Sequence, residues 1–364
     1  MFTGLILHSP AFGLDISDLS LKIVYLKTQG KGFQLQSFGN FPITPGVIER
    51  GEIKQKDALV TTIKNAVKSF GNKMLIRQVI ASLPDEQAFL QVIQIPHMKP
   101  AELQHAVRFE AENHVPHAIE KVYLDFHVVK PFHNHLDHID VLLAALPRTT
   151  VDSYLDVLEC SGLTPRVLEI ESLALSRALV AKETAAMPLL LVDFGGTRTS
   201  IVVFSGYSLR FAASISVSSN QLTSNIARNL KIKTDQAEEL KISFGLERQD
   251  DARGRMVFEA LFSPLSDLVE QIKRHLSYYE FHTAHQHLGS NQQRIQRIIL
   301  SGGGANLRGL TKFLSKELER EVILGNPWLN ILETSLKELP LLPFRESLKY
   351  TVALGLALRG QSKQ

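Results

Sequence analysis

The stretch that most limits what this chain can fold into is residues 189–204, LLLVDFGGTRTSIVVF. An apolar run ends in Asp193, the turn Phe194-Gly195-Gly196-Thr197-Arg198-Thr199 follows, and a second apolar run, Ile201-Val202-Val203-Phe204, resumes at once. This pattern predicts a strand, a tight turn and a returning strand. Two readings of the turn stand side by side. Gly-rich hairpin turns are common and need no ligand. Equally, Gly195 and Gly196 free the backbone to approach a ligand, the Thr197 and Thr199 hydroxyls can bond phosphate oxygens, and Asp193 can hold a magnesium ion through water.

The plan recurs. Residues 12–26 place Asp15 at the end of an apolar run, a small-residue turn with Ser17 and Ser20, and a returning strand that carries Lys22. Residues 298–310 supply a third Gly-rich turn, Gly302-Gly303-Gly304 with Asn306 beyond it, leading from a strand into a helix whose N-terminus can touch ribose or an α-phosphate. Three such turns predict two related halves that face a nucleotide.

The Asp15-to-Lys22 spacing, the Asp193 hairpin and the triple glycine stand in the order of the two phosphate loops and the adenosine loop of the actin and sugar-kinase superfamily. Within it, Arg108-Phe109-Glu110-Ala111-Glu112, Val115-Pro116, residues 120–126, Ser161-Gly162-Leu163-Thr164-Pro165 and residues 170–175 resemble PilM, the actin-like family of type IV pilus assembly. Phe12-Gly13-Leu14-Asp15 and residues 353–359 also match, so the resemblance spans residues 11–359. The phosphate loops specify the superfamily alone, whereas the middle segments are particular to PilM and its FtsA-like relatives.

The resemblance implies an α/β, actin-like ATPase fold: two related sheet-plus-helix halves around a nucleotide cleft, with an FtsA-like inserted subdomain in the first half. Residues 11–85 and 164–187 would form that half, 86–163 the insertion, 188–217 and 294–360 the second half, and 218–293 a smaller subdomain over the nucleotide. It implies ATP with Mg2+, the metal held through water by Asp15 and Asp193, with Lys22 reaching the β- and γ-phosphates as a movable charge. Glu238 and Lys241 would lie near the sugar, and the alternative is that they are surface helix charges. Glu171 would orient a water for hydrolysis or cap the helix that follows it. At most a weak ATPase is expected. The first turn departs from the family, which usually has Gly and a hydroxyl residue where this chain has Ser17 and Asp18, and an acidic Asp18 would repel phosphates unless it turns outward or meets the metal. The implied partner is the N-terminal peptide of a PilN-like membrane protein, in a groove at the insertion, and through it a PilO-like protein and the pilus motor ATPases. Self-association is left open. An FtsA-like division filament and a small-molecule kinase of the same superfamily are the alternatives; a kinase needs a positioned Asp to activate a hydroxyl, and no residue with that context is found.

Composition agrees with a folded two- or three-domain protein: 44% hydrophobic and 21% charged residues in 364, with mean hydropathy near zero. A net charge of +3 without clustered Lys and Arg argues against nucleic acid. No apolar run spans a bilayer, residues 1–10 lack a signal pattern, and the last residues lack an amphipathic anchor, so a cytoplasmic protein peripheral to the inner membrane through a partner is expected. The lone Cys160, among Val151, Tyr154, Leu155 and Leu158, is read as core packing. His127, His133, His135 and His138, and His282, His285 and His287, are read as solvated rather than metal-binding. A long helix is predicted to start at Ser263-Pro264, after a polar loop over residues 250–255.

Overall fold

The computed structural model describes residues 10–30, 32–71, 76–130, 137–247, 250–282, 293–332 and 340–361. The first predicted hairpin forms β1 (Phe12–Ile16) and β2 (Ser20–Gln29), and β3 (Gly32–Pro42) extends it. A small ribbon of β4 (Ile48–Glu49) and β5 (Glu52–Ile53) leads to α1 (Lys56–Ser69) and β6 (Gln78–Leu83). Helix α1 forms because Leu59, Ile63 and Val67 share one face, and that face is buried on the sheet. The segment after β6 contains β7 (Phe89–Pro96), α2 (Pro100–His114), β8 (Val122–Val128), β9 (His138–Pro147) and α3 (Arg148–Cys160). The chain then returns through β10 (Thr164–Ile170) and α4 (Glu171–Leu179).

The second hairpin is β11 (Ala185–Phe194) and β12 (Thr199–Gly206), continued by β13 (Ser208–Ile215). Three helices follow, α5 (Ser219–Leu230), α6 (Thr234–Phe244) and α7 (Ala252–His282), then β14 (Arg297–Ser301), α8 (Leu310–Leu318), β15 (Glu321–Leu324), α9 (Phe344–Ser347) and α10 (Thr351–Gln361).

Strand order exposes the internal repeat. The first sheet runs β10-β6-β1-β2-β3, and the second begins β15-β14-β11-β12-β13. In both, three antiparallel strands are flanked by two parallel ones. Equivalent helices α4 and α10 close the two halves against each other. Their approach requires glycine: a Cβ on Gly355 would lie 1.9 Å from the Ala174 carbonyl oxygen, and one on Gly13 would lie 2.3 Å from that of Ala353. Residues 351–358 of α10 are accordingly all buried.

The segment 86–163 interrupts the first half in sequence, yet its strands continue the second sheet, in the order β13-β7-β9-β8. Phe211 pairs with Gln91 at that junction, and Arg210 of β13 makes a buried ion pair with Asp140 of β9 at 2.5 Å. Helix α2 covers the inserted strands through Leu103, Val107 and Ala111.

Two expectations need correction. Helix α7 starts at Ala252, not at Ser263, and carries Pro264 inside it. Asp251 caps it, accepting from the Arg253 and Gly254 amides. Val257, Leu261, Leu265, Leu268, Ile272, Leu276 and Tyr279 form one buried stripe, and that burial offsets the roughly 3 kcal/mol that an interior proline costs. Cys160 is exposed, and its thiol donates to Asp156 Oδ1 at 3.5 Å. It lies about 200° around the helix from buried Leu158 at ~100° per residue, so it faces away from the core. His133, His135, His285 and His287 lie outside the described residues, as does the side chain of His282. His138 Nε2 accepts from Gln94 Nε2 at 3.0 Å, and the ring lies within ion-pair distance of Asp137 and Asp140.

Candidate functional site: the cleft between the halves

A cleft of about 240 Å3 opens between the two sheets where both hairpin turns meet. Its walls are the β1–β2 turn (Asp15, Ser17, Leu19, Ser20, Lys22), the β11–β12 turn (Asp193, Gly195, Gly196, Thr197, Arg198, Ser200), Glu171 of α4, Gly302 and Gly303 after β14, and Lys349 with Thr351 near the start of α10.

The register of each hairpin sets the chemistry. Asp15 stands directly opposite Lys22, whose Nζ reaches its Oδ2 at 3.0 Å, and Ser82 donates to Oδ1 at 3.5 Å. The equivalent pair in the second half is Asp193 opposite Ser200. Enclosure by protein pushes the Asp193 carboxyl up to about 7, against the pull of Lys22 and with Asp15 adding to the rise. The second turn is held open by its neighbours: Gly195 N donates to Arg198 O at 3.0 Å, and the first amides of α5, Ser219 and Asn220, donate to the Gly195 and Gly196 carbonyls.

Gly302 has φ +84°, and a Cβ there would lie 2.5 Å from Phe194 O and 2.6 Å from Asp193 Oδ1. Glycine is therefore obligatory where the third turn touches the second. Gly303 is the exposed member that faces the cleft, whereas Gly304 packs under the Phe194 ring, 2.7 Å from a would-be Cβ.

Several expected site residues do not reach the cleft. Thr199 is fully buried, and its hydroxyl donates to Val217 O at 2.6 Å, which fastens β12 to the strand-to-helix crossing. Asn306 donates to Arg345 O and lies in a short 3-10 turn, Gly303–Asn306. That turn, followed by Gly309, postpones α8 to Leu310, so its N-terminus is not at the glycines. Lys241 is 5% exposed, so it is not a surface charge: its Nζ donates to Ser219 Oγ and Thr223 Oγ1 and pairs with Glu238 at 2.7 Å. Burial lowers its pKa, with Glu238 opposing. This buried lysine bolts α6 to α5, and neither Glu238 nor Lys241 lines the cleft.

Glu171 does line it, but caps nothing. The amide of Ser172 is capped instead by Asp85 Oδ1 at 3.0 Å, from 87 residues earlier in the chain, a separation that no local sequence pattern marks. Glu171 accepts from Arg198 Nη2 at both oxygens, at 3.0 and 2.9 Å. Burial pushes its carboxyl up, to about 8, against the guanidinium's pull. Burial alone would lower Arg198, but Glu171 and Glu86 outweigh it and keep the guanidinium charged. Asp18 turns away from the cleft, accepting from Gly51 N at 3.1 Å and facing Arg198 at 3.6 Å, which removes the expected clash with phosphate. Arg198 was visible in the sequence as a member of the turn; Ser200 lies beyond it in β12, and only the repeat register marks it as the counterpart of Lys22.

Two repeated sheets with an acidic strand end in each, meeting at a cleft, define the actin-like class of folds. A Spiroplasma citri MreB, solved bound to AMPPNP, has that fold: it superposes with a TM-score of 0.58 at 13% identity over 96% of this chain and 95% of its own. Residues 13–361 match the family described as type IV pilus assembly protein PilM, and the chain belongs to that family. The solved PilM-PilN type IV pilus biogenesis complex superposes with a TM-score of 0.80, at 28% identity, over 98% of this chain and all of that one. A more distant likeness links it to cell division protein FtsA of Helicobacter pylori, 26% identical over 216 residues, or 54% of this chain. The match spans less than half the length of the FtsA relatives of Helicobacter pylori and Pseudomonas aeruginosa.

Proposed function

We propose that this protein binds ATP with magnesium in the cleft and acts as a cytoplasmic platform of type IV pilus assembly, or of a related secretion or DNA-uptake machine. The observation that carries this reading is the pairing of two hairpin turns, each ending a strand in an aspartate, Asp15 and Asp193, around Lys22. Among the described residues no group of three His, Cys, Asp or Glu side chains is set to chelate a metal directly, so the two aspartates would hold magnesium through its water shell. Gly195, Gly196 and Thr197 would cradle the phosphates, with Lys22 as counter-charge and Gly302 and Gly303 against the nucleoside. Both oxygens of Glu171 are engaged by Arg198, so the cleft favours holding nucleotide over fast turnover.

The partner would be the N-terminal peptide of a PilN-like membrane protein, and through it a PilO-like protein and the motor ATPases. A second groove, of about 370 Å3, lies where the inserted strands β8 and β9 face α4 and the β12–β13 turn. Its floor is apolar, with Phe126, Leu142, Leu173 and Leu209, and its polar groups include Glu169, Arg177 and Arg359, a lining that suits an extended peptide. Among the described residues no helix is long and apolar enough to cross a membrane, so attachment to the inner membrane would come through this partner.

Calorimetric titration of ATP with magnesium, on the wild type and on Asp193→Ala, tests the reading. Saturable binding that the variant loses supports it. A folded wild-type protein that takes up no nucleotide at millimolar ATP sinks it, and leaves a scaffold that works without nucleotide.

A further inference from the structure

Three segments distant in sequence converge on one guanidinium that lines the cleft. Arg198, in the β11–β12 turn, gives Nη2 to Glu171, the first residue of α4, and Nη1 to Glu86 Oε2 at 3.0 Å. Asp18 of the β1–β2 turn lies 3.6 Å from the same Nη1. The Arg198 side chain is only 9% exposed, and the planar fork of a guanidinium can serve several carboxylates at once.

Two of these contacts lead out of the cleft into the inserted segment. Glu86 sits in the 3-10 turn Asp85–Gln87, immediately before β7, the first inserted strand. Asp18 Oδ1 accepts from Gly51 N, and Gly51 O accepts from the hydroxyl of Tyr154 at 3.1 Å, in α3, the last inserted helix. The insertion is thus reached at both ends. Among the described residues, neither the turn 85–87 nor β7 nor α3 lines the cleft itself.

We propose that Arg198 is a positioning residue that couples the β11–β12 turn to the seating of the inserted segment, residues 86–163. Glu86 and Asp18 share one nitrogen, so a force that draws the guanidinium toward the cleft, such as a phosphate at Gly196 and Thr197, loosens both links together. By reciprocity, movement of the insertion shifts the turn. Only the ligand arm of the test below rests on the nucleotide reading.

The test is amide hydrogen exchange on the full chain, with Glu86→Gln as the main variant, because Glu86 is the most exposed of the three carboxylates and the Arg198 pair with Glu171 survives its loss. Without ligand, coupling makes the amides of residues 194–198 exchange about tenfold faster in Glu86→Gln, the scale of one charge-assisted hydrogen bond, while β14 and α1 are unchanged. Acceleration confined to residues 85–88 overturns the proposal. Arg198→Met is expected to speed exchange at both 85–96 and 194–198. With ATP and magnesium, the wild type changes exchange at 85–96 and Glu86→Gln does not; a variant that responds like the wild type overturns the coupling. A wild type that binds no ATP counts against the nucleotide reading, and the ligand-free comparison still decides on Arg198.

Discussion

Replacing Arg210 by methionine tests how the inserted segment is fastened to the second half. The Arg210 Nη1 to Asp140 Oδ2 contact is 2.5 Å, and the two side chains are 3% and 5% exposed. Beside it the backbone junction between β13 and β7 is Phe211 opposite Gln91, and Leu90, Leu142 and Leu146 of the insertion share a buried cluster with Phe204 and Leu209. Arg210→Met leaves Asp140 buried, with His138 Nε2, 3.3 Å from Oδ1, as its other ion-pair neighbour among the described residues. An uncompensated buried charge of this kind costs about 3–5 kcal/mol. Removing both charges with Arg210→Met and Asp140→Leu also removes the desolvation penalty, so the double variant should fall within about 2 kcal/mol of the wild type. Urea unfolding at pH 7, followed by circular dichroism and by the fluorescence of the single tryptophan, Trp328, measures all three proteins. Trp328 packs beside α10, far along the chain from the joint, so transitions that separate between the two probes would locate the weakened part. A loss under about 1 kcal/mol in Arg210→Met, or a double variant as unstable as the single, would refute the reasoning.

Two further outcomes follow from packing and charge. Gly355→Ala puts a methyl 1.9 Å from a backbone oxygen of α4, which no rotamer change relieves, so a loss of about 3 kcal/mol in urea unfolding is expected, and an unchanged midpoint would contradict the close approach of α4 and α10. Asp193 is raised from 3.8 to about 7 in the folded protein, so between those values the native state binds the extra proton and stability falls as pH rises, by up to about 4 kcal/mol in total, then levels off. Asp193→Asn should remove that share of the slope between pH 4 and 7; parallel pH–stability curves for the two proteins would show that Asp193 is not the group responsible.

Local pattern was enough for the repeat. Each hairpin is a contiguous run of apolar residues broken by Asp and small residues, and the information that folds it is held within about twenty residues. Hence β1 with β2, β11 with β12, and the glycine turn after β14 were legible, as were Asp15, Lys22, Asp193, Gly195, Gly196 and Thr197 as cleft residues. Local signals failed where long-range burial overrode them. Pro264 reads as a helix start, but the stripe from Val257 to Tyr279 buries on both sides of it and keeps the helix continuous. Lys241 reads as a cleft or surface charge until α6 folds onto α5 and encloses it, while its partner Glu238 stays partly exposed.

By itself the sequence determined the class of fold and the chemistry available at its centre: two halves, two acidic strand ends, a lysine opposite the first of them and five glycines in two turns. Only the tertiary structure decided which of those groups meet. Thr199 turns into the sheet and Gly304 under an aromatic ring, because side chains alternate across a strand and the glycine turn is packed on Phe194. Asp18, at odds with a phosphate loop when read alone, is answered by Arg198 from a turn 180 residues further along the chain. Charge compensation acts through a few ångströms of space, and no spacing along the sequence records it.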